Sequence, residues 1–166
     1  MVLVADTSAL VSLAIATDDG PIRLLFEEYD IRVPPAVRDE LQDIAAYEDA
    51  HADAATRVLD HLTETHIQPP TTTPESPLDA GKTAAIALAN ELNAAVFLCD
   101  EYSELSTVHA LLSEPRLMTT PKMIEAFVRR DVLSPAAARS ALAEMVTERS
   151  WRNNAYVTHF LARFDE

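Results

Sequence analysis

The chain has one cysteine, Cys99, two glycines, Gly20 and Gly81, and two lysines, Lys82 and Lys122, among 166 residues. A single thiol excludes an internal disulfide and any zinc site built from several thiolates. At the end of an apolar run it reads as a small buried hydrophobe and not as a nucleophile. Two glycines leave no GxGxxG cradle for a dinucleotide, and no GxSxG elbow is present. Gly81, Lys82 and Thr83 spell the end of a Walker A loop. Its first glycine is replaced by Ser76, however, and the preceding PPTTTPESP cannot be a buried strand, so the P-loop reading fails. The five histidines, at 51, 61, 66, 109 and 159, have no metal-ligand spacing. Trp151 and the four tyrosines are not interleaved with basic residues, as a stacking platform for single strands would require. No apolar run approaches the roughly 20 residues of a spanning helix. The N-terminal run lacks a basic flank and a cleavage site, so the expectation is a cytoplasmic protein without a membrane partner.

Acid is what the sequence has in excess. Asp and Glu number 27 against 13 Lys and Arg, a formal charge of -14. Such a surface repels polyanions. Acid excess with arginine in place of lysine resembles proteins of extreme halophiles. In molar salt the Debye length falls to about 3 Å, which screens that repulsion and leaves a nucleic-acid substrate possible. Full folding in low salt would count against salt adaptation.

Strands and helices alternate along the chain. Val2 to Ala5 reads as a strand buried on both faces, because apolar residues follow one another without alternation. Thr7 and Ser8 are candidate N-caps for a helix carrying Leu10, Leu13 and Ala14. A turn at Asp18, Asp19, Gly20 and Pro21 leads to a helix over 21–29 and a strand at 31–33. Pro34 and Pro35 start a third helix, with Val37, Leu41 and Ile44 on one stripe. A fourth helix covers 50–65, and 68–77, with four prolines, is a loop. A helix, a turn at Asn93 and a buried strand over 95–99 follow. Then come a helix over 102–112, a strand near 117–119, and helices over 121–130, 135–149 and 152–163. In these last, Leu142, Met145 and Val146 read as core. The pattern predicts an α/β fold: a three-layer α/β/α sandwich on a central parallel sheet of four or five strands, plus C-terminal helices. It is read as a single domain, 1–166, in which 121–166 is a helical extension packed on the rest.

In such a sheet all strand C-termini open on one edge, where ligands bind. Asp6 and the pair Asp100 and Glu101 end two strands, and Glu40 lies on the helix after a third, beside its apolar stripe. Acids gathered at one partly buried place raise one another's pKa unless a cation offsets them, and hard oxygen ligands select Mg²⁺ or Mn²⁺. Each residue also has a plainer role: Asp6 and Asp100 as helix caps, Glu40 as a solvated acid, Thr7 and Ser8 as caps.

The ordered stretches VADTSALVSL, VPPAVRDEL and LDAGKTAAIALANELNAAVFLCDE resemble successive motifs of PIN-domain proteins, metal-dependent nucleases that include the toxins of VapBC toxin–antitoxin pairs. The tail LMTTPKMIEAFVRRDVLSPAAARSALAEM resembles a PIN-like nucleic-acid-binding branch of archaea and bacteria. The resemblance implies Asp6, Glu40 and Asp100 as catalytic and metal-binding acids, with Glu101 as a further ligand; beside them the residues themselves offer Thr7, Ser8, Asp79 and Lys82 as supporting candidates. It implies an endoribonuclease using Mg²⁺ or Mn²⁺, an RNA substrate, an antitoxin partner and a homodimer. The alternative is a degraded PIN-like protein that acts by binding nucleic acid or protein.

One position departs from that family: Lys82 stands where it places an acid, and a charged lysine cannot ligate Mg²⁺. The anomaly is also local. If Asp79 caps the helix, Lys82 falls at N3, where a capping box wants Glu or Gln and the helix dipole disfavours positive charge. Three readings remain open. The lysine is exposed and tolerated, its ammonium enters the acid cluster and pairs with Asp6 or Asp100, or Asp79 supplies the missing carboxylate.

Overall fold

The computed structural model describes residues 1–16 and 20–163. The expected turn at Asp18 and Asp19 lies outside the described residues. Gly20 and Pro21 already belong to a helix, as suits proline in a first turn. The elements run β1 (Val2–Ala5), α1 (Thr7–Ala14), α2 (Gly20–Glu28), β2 (Asp30–Arg32), α3 (Pro35–Ala45) and α4 (Ala50–His61). They continue with α5 (Ala80–Glu91), β3 (Val96–Leu98), α6 (Leu105–Leu111), β4 (Arg116–Met118), α7 (Thr120–Arg129), α8 (Pro135–Glu148) and α9 (Ala155–Arg163).

Among the described residues the sheet has four strands, all parallel, in the order β2-β1-β3-β4, with helices on its faces. This is the three-layer α/β architecture expected from the alternation of strands and helices. Val33 adds an isolated parallel bridge to Ile67, an incomplete fifth strand at the β2 edge. The central strands β1 and β3 are apolar because helices cover both of their faces: Leu3, Val4, Ala5, Phe97 and Leu98 are fully buried. Each large side chain removed from water in this way contributes roughly 1.5–3 kcal/mol.

Three expected helices are clearly shorter than their sequence pattern, the last of them beginning at Ala155 and not at 152. The fourth stops at His61, because Leu62 turns extended and the Thr63 amide donates to His66 Nδ1, closing a separate 3₁₀ turn over Glu64–His66. The segment after β3 begins as a 3₁₀ turn, Tyr102–Glu104, and becomes α-helical only at Leu105. Asn93 takes the left-handed conformation (φ 47°) that ends α5 and returns the chain to the sheet. At the C-terminal end α7 packs on α1, α8 and α9, with Leu142 and Met145 buried and Val146 packed against the core. No helix among the described residues is long and apolar enough to cross a membrane.

Candidate functional site

The strands β1 and β3 end side by side, and the Asp6 amide donates to the Leu98 carbonyl at 3.0 Å. Their register pairs Val4 with Phe97 and Ala5 with Leu98. Continued by one step it sets Asp6 beside Cys99, with Asp100 the next residue. The two strand-end aspartates are close enough for the Asp100 charge to act on Asp6.

Asp6 is buried, 2% exposed, and turns back over α1. Its Oδ1 accepts from the Ala9 amide at 3.0 Å and the Ser8 hydroxyl at 2.9 Å. The cap of α1 is thus Asp6 itself, and not Thr7 or Ser8: a carboxylate one residue earlier is the stronger acceptor for the free amides of the first turn. The Cys99 thiol approaches the same carboxylate but leaves Oδ2 without a hydrogen bond. Burial, with a smaller contribution from the Asp100 charge, pushes the Asp6 pKa up to about 6. Cys99 is itself buried, and desolvation and the neighbouring aspartates raise its pKa, so it is a packed thiol and no nucleophile.

Thr7, freed from capping, donates its hydroxyl to Glu40 Oε2 at 2.6 Å and so joins α1 to α3. The Glu40 carboxylate lies flat against Gly81, in the first turn of α5; a Cβ on Gly81 would stand 1.8 Å from Glu40 Oε1. Glycine is required there for this close approach.

Asp79 caps α5 through Oδ1 and the Lys82 amide (2.8 Å), which puts Lys82 at N3. Its side chain is not exposed: the residue is 9% accessible, and the ammonium lies 3.1 Å from Asp79 Oδ2 and 3.8 Å from both Glu101 Oε1 and Glu104 Oε2. Burial works against the charge, but Asp79, Asp6 and Glu101 outweigh it and raise the lysine pKa. The ammonium has therefore entered the acid cluster, with partners other than Asp6 and Asp100. Burial pushes the Asp79 pKa up, yet the Lys82 amide and ammonium reverse this and hold it below the usual range.

Asp100 is buried as well. Its Oδ1 accepts from the Thr120 amide at 2.7 Å and its Oδ2 from the Thr120 hydroxyl, so it anchors the N-terminus of α7. Burial raises its pKa, and the Thr120 and Ser12 hydrogen bonds and the Arg149 charge oppose this.

A cavity of about 240 Å³ opens over this edge, lined by Asp6, Glu40, Asp79, Glu101, Lys82 and Arg149, with Thr7 and Ser8 at its wall. Asp100 is not among its lining residues. A larger hollow of about 450 Å³ between α4 and α8 contains none of the sequence-predicted residues, and no unpartnered buried side-chain atom among those described lines it. The chemistry is concentrated in the smaller one.

The sequence model of the PIN-domain family matches residues 2–166. The chain belongs to the PIN-domain family. PIN domains are in general a nuclease fold and typically use divalent metals. The chain has no match among curated proteins or solved structures.

As they stand, the side chains of this PIN domain do not fit such an ion. Among the described residues no three His, Cys, Asp or Glu side chains converge on one point. Both oxygens of Asp100 are occupied by Thr120, and a positive charge already stands within 4 Å of three carboxylates. Against this, Asp6 lines the cavity with its Oδ2 buried and without a hydrogen bond.

Sequence reasoning brought Asp6, Glu40, Asp79, Lys82 and Glu101 to one place and missed three participants. Glu104 was within reach of sequence, three residues beyond Glu101 on the same short turn. Thr120 had a weak signal, a Thr-Thr-Pro helix start. Arg149, arriving from the end of α8, had none.

Proposed function

We propose that this PIN domain has lost metal-assisted hydrolysis and acts by binding RNA, as a single domain whose 121–166 extension closes one side of the cavity with Arg149. A salt-rich cytoplasm is the setting that suits its -14 charge: there the acidic surface is screened, and phosphate contacts need overcome little long-range repulsion. The observation that carries the reading is Asp100. The resemblance implies a catalytic acid at that position, yet both of its oxygens are engaged by Thr120 and it does not line the cavity.

A second reading keeps the nuclease: an endoribonuclease dependent on Mg²⁺ or Mn²⁺, with Asp6, Glu40, Asp100 and Glu101 as its acids, serving as the toxin of a toxin–antitoxin pair and acting as a homodimer. The bare Oδ2 of Asp6 favours it, as a buried carboxylate oxygen without a partner is suited to a ligand.

RNA binding and cleavage measured in molar KCl with Mg²⁺ or Mn²⁺, for wild type and Asp6→Asn, separate the two. Binding with no cleavage in either protein is the expected result. Cleavage by wild type that disappears in Asp6→Asn establishes the nuclease.

A further inference from the structure

We infer that Lys82 is the resident cation of the acidic cavity, occupying with a tethered ammonium the electrostatic role of a divalent ion, and that its charge is what keeps metal out. The inference rests on the same cavity as the proposed function, but it concerns ion occupancy and not RNA.

Four acids line the cavity, and Glu104 stands behind Lys82 with a buried Oε2 that has no hydrogen bond. A cluster of this kind requires compensation. The nearest compensation is the Lys82 ammonium, within 3.1–3.8 Å of Asp79, Glu101 and Glu104. Nothing in the helix favours a cation at this position. Lys82 is the third residue of α5, where the free amides repel positive charge, and an ordinary lysine there would extend into solvent. This one is 91% buried against the acids, which outweigh both the helix dipole and desolvation. Independently, Asp6 lines the same cavity and its buried Oδ2 has no hydrogen bond, so an oxygen suited to a hard cation is present and unused. As placed, the acids converge on the ammonium and not on a metal point; removing the Lys82 charge leaves three carboxylates uncompensated beside Asp6, free to turn to a hard cation.

The test is Mn²⁺ binding in about 2 M KCl, followed through loss of the free aqua-ion signal in electron paramagnetic resonance, with no RNA present. Wild type and Lys82→Arg, which keep the charge, should leave Mn²⁺ free at millimolar concentration. Lys82→Met, which keeps the length, and Lys82→Glu should bind it at least about tenfold more tightly. Adding Asp6→Asn to Lys82→Met should abolish the gain. Mn²⁺ bound by wild type overturns the inference, and so does a gain that survives Asp6→Asn, since it would then be surface binding. Folded Lys82→Met and Lys82→Glu proteins without any gain overturn it as well; if neither folds, Lys82→Gln, neutral and still able to donate to Asp79, takes their place, and the same absence of gain overturns the inference. RNA binding is read separately, so that failure of the proposed function leaves this result interpretable.

Discussion

Asp6 and Asp100 occupy equivalent places, each one or two residues past a central strand, each buried, each next to a helix N-terminus. Their surroundings differ. Asp100 has both oxygens engaged by Thr120 and works as a structural joint between β3 and α7. Asp6 has one oxygen satisfied by the first turn of α1 and the other buried without a hydrogen bond. Two carboxylates of the same origin in the fold thus differ, one with its acceptors filled and one with an acceptor left over. A hydrogen-bond donor in the right place, and not burial alone, decides which is which.

The comparison can be broken most severely at Asp100. Asp100→Ala strands the buried Thr120 amide and hydroxyl and should cost about 3–4 kcal/mol, read as a lower urea midpoint. Asp6→Asn should act in the opposite direction at neutral pH. Between about pH 4 and pH 6 the native carboxyl holds a proton that the unfolded chain releases, so wild-type stability should fall as pH rises through that window. At about 1.4 kcal/mol per pH unit the accumulated loss is about 3 kcal/mol by pH 7. Asn keeps the Oδ1 acceptor for Ala9 without the charge. Its unfolding free energy should fall less steeply across the window, leaving the contribution of the other raised acid, Asp100, and should exceed wild type above it; an unchanged slope would show that Asp6 is not the titrating group.

Gly81→Ala carries the smallest expected change. The new methyl displaces the Glu40 carboxylate and breaks its contact with Thr7, while alanine recovers up to about 1 kcal/mol of helix propensity. Chemical denaturation should therefore place the variant within about 1 kcal/mol of wild type, with the consequence confined to Glu40 and the cavity wall.

The layered architecture was legible because its signals are local: unbroken apolar runs for β1 and β3, the Pro34-Pro35 start of α3, the turn at Asn93. The strand-end acids and the misplaced charge of Lys82 were legible for the same reason, as a cap, a count of three residues and a dipole suffice to expose the anomaly. What sequence could not supply was direction. A step of one residue can turn a side chain to the other face, and Asp100 is absent from the lining of a cavity that Asp6 and its own neighbour Glu101 share. Arg149 is invisible for another reason: its place depends on how α8 docks, which no local pattern encodes.

The sole thiol of the chain is enclosed between two aspartates and held in its unreactive form. Thiol-directed dyes or spin labels should therefore pass over the folded wild-type protein. Single engineered cysteines on its surface can then report distances or partner contacts with Cys99 left in place.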